Sequence, residues 1–460
     1  MNKFLYLAVL LVLTFSCTDD EGVNFQPDNF FLGGNTSVNE ADGTTEITFN
    51  LLSPVNNDVT INFELTGTAV SPDDYSVAGL SVVLPAGETS VSLVVNLVDD
   101  NLIEEQEDIV LTVTTISDPN IFVNQSDTLT ITIIDDESIA YQSGVLIANK
   151  GGAGVGTVSY IKNDLSAVEQ QIYSAVNGEN IGNGLQSIAF HNDKAYLIVS
   201  GANKIIVVNR YSFFKEATIE TGLNNPRYMT VSGDKAYVTN WNDPNVTDDD
   251  YVAVVDLATN SIDSNNDINV AEGPERILAR SGKLYISHKG GINQNNKVSV
   301  IPTSDVTNIT TIPVGDVPDE MVFDSANNIW VLCEGNPASS GSETGGKLVK
   351  INTTDDTMVT TIDFTNATDH PNTLSYYNGK LYYALNNSIY DMLETETTVS
   401  TTAILTTPAY TIAINNDKLY VSDVVDSVAN GSINVYNLAD NNASLGTLTV
   451  GVHPEAIYFN

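Results

Sequence analysis

A unit of about 40 to 48 residues recurs from residue 141 to the C-terminus, and it limits what this chain can fold into more than any other feature. Each copy opens on a Pro, runs through an apolar strand and a short turn, and continues in a strand centred on Tyr or Trp. Pro226 leads to Lys235-Ala236-Tyr237-Val238-Thr239-Asn240, Pro274 to Lys283-Leu284-Tyr285-Ile286-Ser287, and Pro318 to Asn328-Ile329-Trp330-Val331-Leu332. The pattern returns at Pro371 with Lys380-Leu381-Tyr382-Tyr383 and at Pro408 with Lys418-Leu419-Tyr420-Val421-Ser422. An earlier copy without the Pro runs through Ser187-Ile188-Ala189-Phe190 to Lys194-Ala195-Tyr196-Leu197-Ile198. A third strand such as Val252-Ala253-Val254-Val255-Asp256 and a Thr/Ile-rich fourth follow. Four short strands per unit predict a propeller blade. Six copies are complete, residues 144–173 supply later strands of another, and Pro454-Glu455-Ala456-Ile457-Tyr458-Phe459 supplies a first strand. Pairing those pieces would close a seven-bladed ring over residues 141–460.

Residues 30–137 follow a different rule. Ile47/Phe49/Leu51, Val59/Ile61/Phe63/Leu65, Val91/Leu93/Val95/Leu97, Ile109/Leu111/Val113 and Leu129/Ile131/Ile133 alternate with mostly polar residues, the signature of half-buried strands in an antiparallel sandwich. The fold class expected is therefore all-β, a sandwich followed by a seven-bladed β-propeller.

The acids of the sandwich stand at strand ends. Between Cys17 and Ala140 there are 23 Asp and Glu and no Lys or Arg, whereas residues 141–460 carry 35 acids against 17 cations. Asp99-Asp100 close one strand, Glu104, Glu105 and Glu107 stand in the turn before the next, and Asp135-Asp136-Glu137 close the last. Antiparallel parity brings these groups to one tip. Crowded carboxylates raise one another's pKa, and a calcium ion, which takes six to eight hard oxygens, relieves them.

The blocks Gly67-Thr68-Ala69, Asp73-Asp74-Tyr75, Leu84-Pro85-Ala86-Gly87-Glu88-Thr89, Leu97-Val98-Asp99-Asp100-Asn101 and Ile134-Asp135-Asp136-Glu137 resemble a Calx-β domain, an Ig-like sandwich. The resemblance implies Ca²⁺ as cofactor, with ligands at Glu40, Asp74, Asp99, Asp100, Glu104, Glu107, Asp135, Asp136 and Glu137. Tyr237-Val238-Thr239-Asn240 and its surroundings likewise resemble the YVTN-type propellers of bacterial surface proteins.

The first residues read as an address. Lys3 and the apolar run Phe4 to Phe15, too short to span a bilayer, predict an export signal over residues 1–16. Thr14-Phe15-Ser16-Cys17 resembles the lipobox of bacterial lipoproteins, which implies a lipid on Cys17 and an acidic tether over 17–29. Thr18-Asp19-Asp20-Glu21 looks like the signal that sends lipoproteins of Bacteroidota to the cell surface. The membrane would be reached only by that lipid, at the outer membrane. Cys333, in Ile329-Trp330-Val331-Leu332-Cys333, reads as a buried thiol.

The formal net charge of -40 argues against nucleic acid as a partner. In the propeller, the turn before each first strand and the loop after each second strand emerge on one face, and that face carries the long loops. The residues after each Pro rim the channel there: Arg227, Glu275, Arg276, Asp319, Glu320, Asn372, Tyr410 and Glu455. Asn240, Trp241, His288, Lys289, Glu334, His370, Asp423 and His453 join them. Mixed charge, amides and Trp241 at one mouth favour a small-molecule, glycan or protein ligand of polar character.

No catalytic residue is assigned. The four histidines, His191, His288, His370 and His453, stand in no H-x-x-E-H pattern, and there is no G-x-S-x-G. Three function classes stay open. The first is a surface binding protein that captures a nutrient or cofactor, as propeller lipoproteins of Bacteroidota capture vitamin B12 for a TonB-dependent transporter. The second is a propeller enzyme, a polysaccharide lyase or lactonase. The third is an adhesin.

Overall fold

The structure is a computed structural model that describes residues 30–460 apart from 101–103, 105, 122–127, 136–138, 153 and 244. Asp136, Glu137, the residues of the export signal and Cys17 lie outside the described residues. The chain divides into two compact units after the strand Thr128–Ile134.

The first unit is a sandwich. One sheet runs Phe30–Gly34, Thr44–Leu51, Ser90–Leu97, Tyr75–Val77, and the other Ser37–Asn39, Thr128–Ile134, Glu107–Ile116, Val59–Gly67, Ser81–Leu84. The alternation read from the sequence is the packing pattern: Ile47, Phe49, Ile61, Phe63, Leu93, Val95, Ile109, Leu111 and Ile131 all lie inside a single core. Each strand thus turns every second side chain inward. Antiparallel pairing sets Thr44 against Asn96 and Glu107 against Ile133, so the end of Ser90–Leu97, the start of Glu107–Ile116 and the end of Thr128–Ile134 meet at one tip. The 3-10 turn Glu40–Asp42 closes the same end, where Leu97 N–H donates to the Gly43 carbonyl at 2.9 Å.

Among the described residues, the second unit holds seven antiparallel sheets of four strands, the third sheet with an additional short strand, Ile268–Asn269. Their innermost strands are Leu185–His191, Pro226–Ser232, Pro274–Arg280, Pro318–Phe323, Asn372–Tyr377, Ile412–Asn415 and Pro454–Phe459. Each touches the next, and the last touches the first, which makes a ring. Pro454–Phe459 pairs with Gly144–Asn149, with Val145 opposite Phe459 and Ile147 opposite Ile457. The ring is therefore closed by hydrogen bonds between the two ends of the propeller sequence. That closing sheet ends sooner than the sequence pattern implied. Its outer strand is only Val168–Glu169, and residues 172–177 form a short helix that Gly178, at φ 66°, terminates.

The blades bury Tyr196, Tyr285, Trp330 and Tyr383 completely between neighbouring sheets. Cys333 is buried and free, and burial pushes its thiol well above the usual range, so it is an inert core residue.

Candidate functional site

Six of the seven innermost strands carry a β-bulge at the same place, immediately after their first residue. Pro226 pairs with Asn240 and Met229 with Val238, which leaves Arg227 and Tyr228 opposite the single residue Thr239. Glu275 and Arg276 stand opposite Ser287, and Asp319 and Glu320 opposite Leu332, in the same way. Gln186, Thr373 and Glu455 are the extra residues of three further bulges. A bulge re-aims side chains that simple alternation would send to opposite faces. Both residues of each Arg227–Tyr228, Glu275–Arg276 and Asp319–Glu320 pair consequently line one cavity of about 220 Å³ at the mouth of the ring.

Hydroxyls on the second strands hold this geometry. Thr239 Oγ1 accepts from Tyr228 N–H at 3.1 Å and donates to the Glu275 carbonyl of the next sheet at 2.8 Å. Ser287 Oγ accepts from Arg276 N–H at 3.2 Å and donates to the Asp319 carbonyl at 2.7 Å. The bulged amide is satisfied and the neighbouring blade is tied on by one small side chain.

Five carboxylates (Glu275, Asp319, Glu320, Glu334, Glu455) and four cations (Lys150, Arg227, Arg276, Lys289) line the cavity. Arg227 grips Glu275 in a two-pronged pair, Nε to Oε2 at 2.9 Å and Nη2 to Oε1 at 2.7 Å, and donates from Nη1 to Gln186 Oε1 at 2.8 Å. Its guanidinium lies 4.5 Å from the centre of the Trp241 ring, and that of Arg276 lies 3.9 Å from the Tyr228 ring. Arg276 also pairs with Glu320. Lys289 bridges Asp319 at 2.6 Å and Glu334 at 2.9 Å. Glu455 accepts from Gln186 Nε2 at 2.9 Å and the Tyr410 hydroxyl at 3.0 Å.

The charges pull the carboxyl groups apart. Burial pushes Glu320 and Glu334 up to about 7, Asp319 adding to the rise in both. Burial would raise Asp319 too, but Lys289 and Arg276 outweigh it and hold it at about 2. Glu455 is likewise held at about 2 against burial by His453, Lys150 and Tyr410. Two buried atoms of this otherwise well-paired set have no hydrogen-bond partner, Arg276 Nε and Asp319 Oδ1, and they stand 3.8 Å apart.

Of the residues expected on the face, Arg227, Trp241, Glu275, Arg276, Lys289, Asp319, Glu320, Glu334, Asn372, Tyr410 and Glu455 are brought together around the cavity. Asn240 and His288 are not: both are completely buried beneath it. Asn240 donates to the Val238 carbonyl at 2.9 Å and accepts from Asn224 N–H at 3.1 Å. His288 donates from Nδ1 to the Ala271 carbonyl at 2.9 Å, which leaves Nε2 to accept from Ser299 Oγ at 2.8 Å, and burial lowers its pKa to about 4. It is a neutral structural histidine. His453 sits behind the wall, its Nε2 3.3 Å from Glu455 Oε2 and its ring edge-on to Tyr410. His370 lines a neighbouring pocket with Pro337 and Gly335. Asp423 closes its strand outside the cavity. Lys150, Tyr228, Thr373 and Thr411 line the mouth without having been singled out in the sequence.

In the sandwich, Asp74, Glu104 and Glu107 place carboxylate oxygens within 4.8 Å of one another. Asp135 Oδ2 accepts from Glu104 N–H at 2.6 Å, and Glu40 is buried beside the group. Asp99 is exposed and Asp100 half-buried. Glu107 is pushed up to about 7, first by burial and then by the hydrogen bond and charge of Asp74 and the charges of Glu104 and Glu40. Burial, with Asp74, Asp100 and Asp135, raises Glu104. A set of converging, mutually repelling oxygens, in a stretch of sequence that carries no Lys or Arg, fits Ca²⁺.

Residues 143–437 match the model of a family described as a domain of unknown function, DUF5074, and residues 24–137 match that of the Calx-beta domain. No curated protein matches the chain. Among solved structures, the chain is similar to a quinonprotein alcohol dehydrogenase-like protein from Bacteroides thetaiotaomicron at 16% identity, over 90% of this chain and 94% of that one, with a TM-score of 0.52. That likeness shows a shared fold. A catalytically inactive virginiamycin B lyase from Staphylococcus aureus aligns over 78% of this chain and 95% of that one at 14% identity and a TM-score of 0.43. The apo form of the Calx CBD1 domain aligns over 24% of this chain and 98% of that one at 19% identity and a TM-score of 0.21.

Proposed function

The chain belongs over residues 143–437 to the DUF5074 family, and from that premise we propose that it is an exported, lipid-anchored surface protein whose propeller captures a small polar ligand in the charged mouth. The carrying observation is the pair Arg276 Nε and Asp319 Oδ1, a buried donor and acceptor held 3.8 Å apart as an ion pair, too far for the hydrogen bond that each lacks among the described residues. Buried polar atoms are normally satisfied, so a ligand that accepts from one and donates to the other gains two hydrogen bonds the free protein lacks. Apolar residues could fill a propeller mouth at no desolvation cost, whereas nine charges, Glu275 and Glu455 buried and the other seven half-buried, impose one. Such clusters are the mark of a binding or reactive site.

The Calx-beta domain, in this reading, binds calcium through Asp74, Glu104 and Glu107, with Asp135 and Glu40 close by. Lys3, the apolar run to Phe15 and the residues around Cys17 support export and lipidation. Delivery to a TonB-dependent transporter is the role that fits a surface capture protein. A cavity of about 220 Å³ accepts a charged side group of a cofactor such as vitamin B12 and not its macrocycle.

A panel of polar metabolites and corrinoids, screened by calorimetry against the full chain, tests this. Arg276→Ala and Trp241→Ala are expected to abolish binding of whichever compound scores, and unchanged affinity in both sinks the assignment of this face. A lyase or lactonase in the same mouth is the second reading. It rests on Glu320 and Glu334, which titrate at about 7 and suit proton transfer. Turnover of the bound compound, lost in Glu320→Gln, would establish it over simple capture.

A further inference from the structure

Trp241, Val246, Asp250, Glu272, Gly273, Gly291 and Ile292 line a second pocket of about 190 Å³, with Trp241 shared with the mouth. Its lining is Trp241, Val246 and Ile292 on the apolar side and Asp250 and Glu272 on the acidic side, with Gly273 between them, and no Lys, Arg or His takes part. Asp250 is 3% exposed. Its Oδ2 accepts from Gly273 N–H at 2.6 Å, while Oδ1 is buried without any hydrogen-bond partner. Each oxygen of Glu272 already accepts one hydrogen bond, Oε1 from Asn293 N–H at 2.9 Å and Oε2 from Asn293 Nδ2 at 3.1 Å.

These facts constrain an occupant closely. Two carboxylates, Asp250 and Glu272, line the pocket and no basic side chain does, so the occupant is cationic. Oδ1 lacks a donor, so the cation must carry an N–H, which a quaternary ammonium does not. Val246 and Ile292 stand exposed at 39% and 51%, and apolar side chains on facing loops offer a wall to hydrocarbon, not to the hydration shell of a metal ion. The indole is fixed in place by its Nε1 donating to the Pro274 carbonyl at 3.0 Å and by Arg227 against its ring. An ammonium group beside an aromatic ring gains from the ring's quadrupole as well. The backbone around the carboxylate is equally set. Gly273 has φ 68°, and a Cβ there would come within 2.3 Å of Gly290 N, so only glycine lets the two loops close on the pocket.

We infer that this pocket binds a primary alkylammonium group, with Asp250 Oδ1 as its acceptor and Trp241, Val246 and Ile292 around its carbon chain. The assignment stands on the pocket's own atoms and does not depend on what the mouth captures.

Titration of the full chain with n-butylamine in EDTA, followed by calorimetry, tests it. Saturable one-to-one binding is expected, weakened about 10-fold in Asp250→Asn, whose amide oxygen still accepts from Gly273 N–H. Ile292→Ser, at an exposed position that leaves folding intact, is expected to weaken it about 3-fold. Butyltrimethylammonium is expected to bind at least about 10-fold more weakly than butylamine. Absence of saturable butylamine binding overturns the proposal, as does equal affinity for the quaternary analogue. Competitive displacement of butylamine by calcium, in a parallel titration without EDTA, would assign the pocket to a metal ion instead. Should Asp250→Asn fail to fold, unchanged affinity in Ile292→Ser is decisive against the site.

Discussion

Thr239 and Ser287 perform the same task in neighbouring sheets: a hydroxyl accepts a hydrogen bond from a bulged amide and donates one to a carbonyl of the next blade. Thr239→Val keeps the shape and removes both bonds, leaving the Tyr228 amide and the Glu275 carbonyl buried without that partner. The expected cost is about 1–3 kcal/mol, read as a melting temperature lower by about 2–6 °C. A melt unchanged within a degree or so would mean the bridge contributes nothing. The same bulges explain which mouth residues were legible in the sequence. Arg227, Glu275, Arg276, Asp319, Glu320 and Glu455 were legible because each follows a recurring Pro. Tyr228 stands at the same place in its repeat as Arg276 and Glu320, but an uncharged aromatic in a Tyr-rich repeat reads as core, and the bulge is what turns it into the cavity. Asn240 and His288 stand at strand ends that do reach the face, yet their side chains spend their hydrogen bonds inside the turn. Position in a repeat tells where the backbone goes, and hydrogen-bond demand decides where the side chain goes.

Among the elements, the strand Pro454–Phe459 bears the most on the ring, since it completes a sheet whose other strands lie about 300 residues earlier. It carries Glu455 into the mouth and covers Val145, Ile147 and Ile161 together with Tyr420, Ile433 and Val450. Deleting residues 453–460 would expose the edge of Gly144–Asn149, a row of unpaired amides on an apolar strand. The truncated chain is expected to elute as large oligomers in size-exclusion chromatography and to lose ligand binding. A monomer with an unchanged melt would show that the closure is dispensable. This closing sheet was legible because a Pro-led first strand stood alone at one end of the repeat and a headless set of strands at the other. The short strands Phe30–Gly34, Ser37–Asn39, Tyr75–Val77 and Ser81–Leu84 were not, since three to five residues are too few to display a period of two.

At the scale of the whole molecule, the net charge of -40 gathers where it can be tested. Glu107 has an ordinary pKa of 4.5 in the unfolded chain and is raised to about 7 in the folded one by burial and by Asp74, Glu104 and Glu40. Between those values the folded state holds a proton that the unfolded state releases. Stability in the absence of calcium must therefore rise as pH falls from 8 towards 5, and the gain is complete below about 4.5. Calcium bound at this tip, as proposed, would supply the same relief without a proton, so in its presence the slope should flatten and the melt at pH 8 should rise. Glu107→Gln separates the two effects: it should raise the calcium-free melting temperature at pH 8 while weakening calcium binding about 10-fold or more. Both tryptophans of the chain, Trp241 and Trp330, belong to the propeller, so the transition that calcium moves should appear in calorimetry and be silent in tryptophan fluorescence, whereas Glu320 and Glu334 give the fluorescent propeller transition a pH dependence of its own. A calcium-free melt that falls on acidification from pH 8 to 6, or a calcium effect carried by the fluorescent transition, would remove the carboxylate tip as the site of this coupling.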